Sequence, residues 1–311
     1  MKKIVYILFF AATLLVAQEK SSNDGISLAA YIPRQTERIP SSAKRMLLNR
    51  LTQIITKNGI SNNVYNSRFV LAPSVSILSK DITPTAPPKT ALNLNVTLYI
   101  GDGISGTLFA SQSIELKGVG NNENKAYISA IKRLSPKNPE ILEFIEVGKK
   151  KIIEYYNANC SNIIKKAAFL EAQNKFEEAL VELTNVPVAS TCFNKVKSKI
   201  KVLYKKVIDR DCKLKLAEAT AIWTANQDID AANEAGAILS TIEPQGACYG
   251  KVKSLYAKIA ARVKDLSDRD WNYKLKELDL KKTYIKAARD VGVAYGKNQP
   301  KNVTYNTRSW R

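Results

Sequence analysis

Cys192-Phe-Asn-Lys-Val-Lys-Ser198 recurs downstream as Cys248-Tyr-Gly-Lys-Val-Lys-Ser254. After each of these cysteines apolar residues fall at the same offsets of 4, 8, 11 and 15. They are Val196, Ile200, Leu203 and Val207 in one copy, and Val252, Tyr256, Ile259 and Val263 in the other. Those offsets trace one stripe of a helix. Upstream of each lies another cysteine, Cys160 or Cys212, followed by a helix-turn-helix pattern. The first copy has Ile163, Ala167 and Leu170, then Asn174, then Phe176, Ala179, Leu180 and Leu183, ending near Pro187. The second has Leu214, Leu216, Ala219 and Trp223, then Ile229, Ala232 and Ile238, ending near Pro244. Agreement in both cysteine placement and apolar offsets predicts a duplicated three-helix unit, with copies at about 158–209 and 210–265.

Four cysteines allow three pairings. The repeat selects the two within-copy bonds, Cys160–Cys192 and Cys212–Cys248. The rival readings are four free buried thiols and a zinc site. Zinc is disfavoured because no two cysteines have short ligand spacing and the chain has no histidine.

Asn174-Lys-Phe-Glu-Glu-Ala-Leu180 resembles the start of the second helix of a tetratricopeptide repeat. The resemblance covers about 158–265 and implies stacked helix pairs that hold peptide segments on a curved surface. This chain departs from that family in its longer period, its third helix per copy, and the missing aromatic in the second copy.

The region before the repeats reads differently. Ile26 to Ile32 is a short strand candidate. Ser41-Ser42 stands at an N-cap position before Met46, Leu47, Leu51, Ile54 and Ile55 at helical spacing, with Gly59 closing the helix. Phe69 to Leu78 reads as a strand, and Pro84, Pro87 and Pro88 mark a loop. Leu92, Leu94, Val96, Leu98 and Ile100 alternate strictly with polar neighbours. Past a turn at Gly101 to Gly106, Leu108, Ala110, Ile114 and Leu116 alternate again, which predicts a hairpin with one buried face. A helix is expected over about 124–134. This element order over 24–135 resembles the small α/β domain at the amino terminus of TolB and in curli-secretion lipoproteins. That likeness implies an envelope domain that assembles with protein partners, and it transfers no functional residue.

Met1-Lys-Lys3 followed by the apolar run Ile4 to Ala17 and polar Gln18 has the parts of a secretory signal peptide cleaved after Ala17. The run is too short for a spanning helix, which needs roughly 20 apolar residues, and no cysteine follows it for lipid anchoring. An oxidising compartment accords with paired cysteines. At the other end Trp271, Leu275, Leu278, Tyr284, Ile285 and Ala288 suggest one long final helix. A polar tail then follows over 291–311, either packed along the scaffold through Tyr295, Tyr305 and Trp310 or captured by a partner.

The formal charge of +20 is diffuse: residues 18–139 carry 15 basic and 7 acidic side chains, and residues 140–311 carry 31 and 21. Such a field favours anionic partners. The lysine runs read first as solvated helix faces. Absence of histidine removes the commonest general base and metal ligand. Gly101-Asp-Gly103-Ile-Ser-Gly106 matches a dinucleotide fingerprint in letters, but a strand follows where the fingerprint needs a helix, so it reads as a turn. The carboxylate pairs Glu177–Glu178 and Asp268–Asp270 read as helix-terminus or surface charges.

The expected fold class is α+β. It comprises a signal peptide (1–17), a small α/β domain with a β-hairpin (18–138), a disulfide-stapled, tetratricopeptide-like helical repeat domain (139–290) and the tail. The expected function is a non-enzymatic, exported scaffold in the periplasm, at the outer membrane or secreted, binding other envelope proteins. The alternative is a basic binder of acidic polysaccharide or anionic lipid. Candidate binding residues are Phe193, Lys195, Lys197, Tyr249, Lys251 and Lys253. Neither cofactor, metal, catalytic residue nor nucleic-acid partner is expected, and no transmembrane segment after signal cleavage.

Overall fold

Strict alternation from Leu92 to Ile100 puts five apolar side chains on one face of a strand, and all five are buried. The computed structural model describes residues 25–33, 39–60, 67–279, 282–299 and 305–310; the expected signal peptide lies outside them. The strand is β3 (Lys89–Asp102) of a four-stranded sheet ordered β1-β2-β3-β4. Here β1 is Leu28–Ala30, β2 is Phe69–Thr83 and β4 is Leu108–Gly120. β1 runs parallel to β2, Leu28 opposite Phe69, and the other pairs are antiparallel. The expected proline loop joins β2, which runs on past Leu78 to Thr83, to β3 in a hairpin of its own.

One sheet face is covered by helices. α1 (Ser41–Lys57) contributes Leu47, Leu51, Ile54 and Ile55, all fully buried, and α2 (Glu123–Lys132) contributes Ala130 and Ile131. Gly59 follows α1 with φ 71°. The serines do not cap α1. Pro40 takes the cap position, where its φ of −54° already suits the helix, and Ser42 instead donates to the side chain of Asn124.

α3 (Pro139–Ala158) completes this layer, with Gly148 seated on the Ile100 side chain. The core therefore does not divide after residue 138. It continues into α4 (Cys160–Ala172), α5 (Phe176–Thr184) and the first half of α6 (Thr191–Ala225). A second core begins at Cys212 and is built from the rest of α6, α7 (Ile229–Leu239) and α8 (Tyr249–Ser267).

The fold is thus α+β, a sheet followed by helices carrying two disulfides. These are Cys160–Cys192 and Cys212–Cys248, and no described cysteine is free. The first ties α4 to the start of α6, the second the middle of α6 to the start of α8. The two expected copies do not separate at residue 209. The third helix of the first and the first helix of the second are one continuous helix of 35 residues, about 52 Å long. Residues 191–225 contain neither glycine nor proline, so nothing ends it.

The expected long final helix is absent over its first half. Asp268, with φ 52°, ends α8, and residues 271–279 form neither helix nor strand. Trp271, Tyr273 and Leu275 alternate toward the second core while Asn272, Lys274 and Lys276 face solvent. Period two won over the helical spacing of Trp271, Leu275 and Leu278, and Leu278 is 50% exposed. α9 (Tyr284–Lys297), capped by Thr283, then lies on α5 and α6, running past the expected start of the tail at 291. Residues 305–310 reach the sheet, where Thr307 and Trp310 are buried. The C-terminal quarter retraces the molecule from second unit to first unit to sheet. Among the described residues no helix is long and apolar enough to cross a membrane.

Candidate functional site

The turn between β3 and β4 shows what its glycines are for. A Cβ on Gly101 would stand 2.6 Å from the Trp310 ring, and one on Gly103 would enter the ring of Tyr305. Trp310 Nε1 donates to the Gly106 carbonyl at 2.6 Å, and the Asn306 amide to the Gly103 carbonyl at 2.6 Å. The turn is a cradle for the chain's own C-terminal segment, which seals the outer sheet face at Ala29, Val70 and Ala72. That outcome takes the packed alternative for the tail.

Asp102, at the end of β3, is fully buried. Its Oδ2 accepts from Arg68 at 2.7 Å, and its Oδ1 from the Ile104 and Ser105 amides at 2.9 and 3.2 Å. Burial alone would raise its pKa, but Arg68 and these amides hold it below the usual carboxylate range. The Arg68 guanidinium also lies 5.0 Å over the Tyr155 ring.

Beside this pair opens a cleft of about 290 Å³ between the β1–β2 end of the sheet, α3, α5 and α9. Its apolar lining includes Ile26, Val181, Pro187 and Val293, and its polar lining Ser27, Ser67, Tyr156 and Asn185. Burial pushes the Tyr156 phenol far up, so it stays a neutral donor. Two arginines line the cleft. Arg68 is neutralised by Asp102. Arg289, from α9, is not: among the described residues its Nη2 has no hydrogen-bond partner, though it is shielded from solvent, and burial lowers its pKa from the usual arginine value. Among the described lining residues no carboxylate faces it.

The sequence-derived binding residues fall elsewhere. Phe193 is 7% exposed and belongs to the first core, so it is a packing residue and presents no aromatic surface. Lys195 and Lys197 are exposed beside it. At 100° per residue Lys195 and Lys199 lie on one flank of the buried stripe of α6, Lys197 and Lys201 on the other, which disperses their charge. Tyr249 is half-buried, donating its hydroxyl to the Lys276 carbonyl, with the Lys253 ammonium 5.7 Å from its ring. Lys251 borders an open groove of about 630 Å³ between α6 and the start of α8, lined mainly by Leu216, Ala217, Thr220 and Ala221. Phe193 and Tyr249 are not brought together. Cys212, which is bonded to the neighbour of Tyr249, lies 19 positions along α6 from Phe193, a rise of about 28 Å.

The second unit already holds a peptide in its groove, residues 271–279 of the same chain. Tyr256 donates to the Tyr273 carbonyl at 2.7 Å, Lys276 pairs with Glu243, and Gly236 leaves room for the Trp271 and Tyr273 rings. The Tyr256 contact, like the bond from Tyr249 to the Lys276 carbonyl, reads backbone rather than side chain.

No protein-family model, no curated protein and no solved structure matches this chain.

Sequence reading missed Arg289, Arg68 and Asp102. Only Arg289 carried a signal, since it stands within the apolar stripe Ile285, Ala288 and Gly292 of its helix. The carboxylate pairs are accounted for in part: Glu177 binds Arg210, and Glu178 accepts from the Tyr295 hydroxyl at 3.1 Å. Among the described residues no group of three or more metal-ligating side chains converges.

Proposed function

We propose that the protein is an exported, non-enzymatic scaffold that holds segments of other envelope proteins on its tetratricopeptide-like helical units. The observation that carries this reading is the open groove along α6, apolar on its floor and rimmed by Lys213 and Lys251. That combination suits an amphipathic segment with acidic flanks. The capture of residues 271–279 in the neighbouring groove supports it, because tyrosine hydroxyls there take backbone carbonyls and so accept many sequences. Two disulfides accord with export into an oxidising compartment.

The test is a pull-down of the disulfide-bonded protein from its own envelope fraction beside Ala221→Arg, which fills the groove. One stoichiometric protein captured by the parent and lost from the variant is the expected result. Equal recovery by both rejects the groove. Recovery of lipid or glycan alone, collapsing between low and physiological salt, would favour the basic-binder reading to which the charge of +20 points.

A further inference from the structure

We propose that the cleft under α9 is a binding site for a carboxylate carried on a short apolar body, with Arg289 as its anchoring cation. The site lies in the first core, apart from the α6 groove, and does not depend on the scaffold reading.

Three observations converge. The first is the orphaned guanidinium nitrogen. Arginine carries five donors and cannot shed its charge, and a buried N–H without an acceptor is costly enough that native structures rarely keep one. Arg289 Nη2 is such a group, in a helix otherwise well packed. The second is charge balance. Of the two arginines among the described lining residues, Arg68 is cancelled by Asp102, so that lining carries one uncompensated positive charge. A single carboxylate neutralises it; a phosphate dianion would leave an excess negative charge in a half-apolar site. The guanidinium fork matches the two oxygens of a carboxylate, a geometry that ammonium does not offer. The third is shape. Ile26, Val181, Pro187 and Val293 offer an apolar wall, while Ser27 and Tyr156 supply further donors. A volume of about 290 Å³ lies at the small end of ligand pockets. It suits the last residue of a peptide or a free branched-chain acid, which share the same chemistry.

The rival is a cation completed by the chain itself. A Cβ on Gly25 would stand 3.2 Å from Arg289 Nη2, and the residue before Gly25 in sequence is Asp24. The two accounts differ in the unliganded protein. If a ligand completes Arg289, Arg289→Met removes an unpaired charge and does not lower the melting temperature. If the chain completes it, both Arg289→Met and Asp24→Asn lower it.

Calorimetric titration and thermal melts of the disulfide-bonded protein would use the tripeptide Ala-Ala-Val as free acid and as C-terminal amide, with isovalerate and inorganic phosphate alongside. The expected result is saturable binding of the free acid, with the amide about tenfold weaker or worse, the worth of a charge-assisted hydrogen bond. Arg289→Met abolishes this preference, and Arg289→Lys, which keeps the charge and loses the fork, reduces it. Isovalerate binding as tightly as the peptide assigns a free acid; tighter peptide binding assigns a chain terminus. Equal binding of acid and amide, no binding of any acid, phosphate binding tighter than either acid, or a lowered unliganded melting temperature in Arg289→Met and Asp24→Asn would each overturn the proposal.

Discussion

Replacing Cys212 and Cys248 by serine removes the staple of the smaller core, and the consequence is local. On the loop-entropy relation, opening a bond that spans 36 residues releases roughly 3.8 kcal/mol of constraint in whichever open state contains that loop. Among the described residues the second core holds 12 buried apolar side chains, four of them alanine, against 46 in the core shared by the sheet and the first unit. The second unit can therefore open alone, by separating α7 and α8 from the far half of α6, and the staple acts on that opening. At 1.4 kcal/mol per decade, amide exchange in α7 and α8 should speed up several hundredfold, while exchange in β3 stays unchanged. The matched variant, Cys160→Ser with Cys192→Ser, cuts a bond of similar span inside the larger core. It should lower the global unfolding free energy without creating a separate opening. Native-state hydrogen exchange read by mass spectrometry distinguishes the two. Uniform acceleration across α7, α8 and β3 in the first variant, or none in α7, would refute the division of the core inside α6.

Three further outcomes follow from named contacts. Gly103→Ala drives a methyl into the Tyr305 ring and should cost about 1–3 kcal/mol by displacing the C-terminal segment, read by thermal melting. Trp310→Ala loses a buried indole and its bond to the Gly106 carbonyl; about 3 kcal/mol of stability in a denaturant titration is expected, with a preserved far-UV spectrum. Asp102 titrates lower in the folded chain than its unfolded value near 3.9. Its pairing with Arg68 therefore stabilises fully above about pH 4 and is lost as pH falls through the folded value. Asp102→Asn should cost about 2–4 kcal/mol at pH 7, less than a wholly buried pair because Arg68 keeps some hydration, and should shrink the stability gap at pH 3.

Much of the architecture was legible because its signals are local. The hairpin declared itself through alternation in β3, since a strand buried on one face permits no other pattern. The disulfide pairing was legible because the cysteine-led pattern at Cys192 recurs at Cys248, and each partner lies a similar distance upstream. Where two periods competed, sequence misled: Trp271, Leu275 and Leu278 fit a helix, and Trp271, Tyr273 and Leu275 fit a strand. Only the surface of the second unit, with Gly236 opening space for two rings, favours the second. Phe193 failed as a binding residue for a related reason, because an aromatic beside a lysine run looks the same whether its ring faces core or solvent.

Sequence by itself determined most of the elements and the staples, which depend on residues within one helical turn, one strand or one short recurring pattern. Tertiary structure alone decided where the core divides, that the chain's end returns across both units to the glycine turn, and that Arg289 meets the Asp102–Arg68 pair across a cleft. Those are contacts between residues as far as 274 positions apart (Tyr31 and Tyr305), and side chains so distant share no periodicity that a linear pattern could reveal.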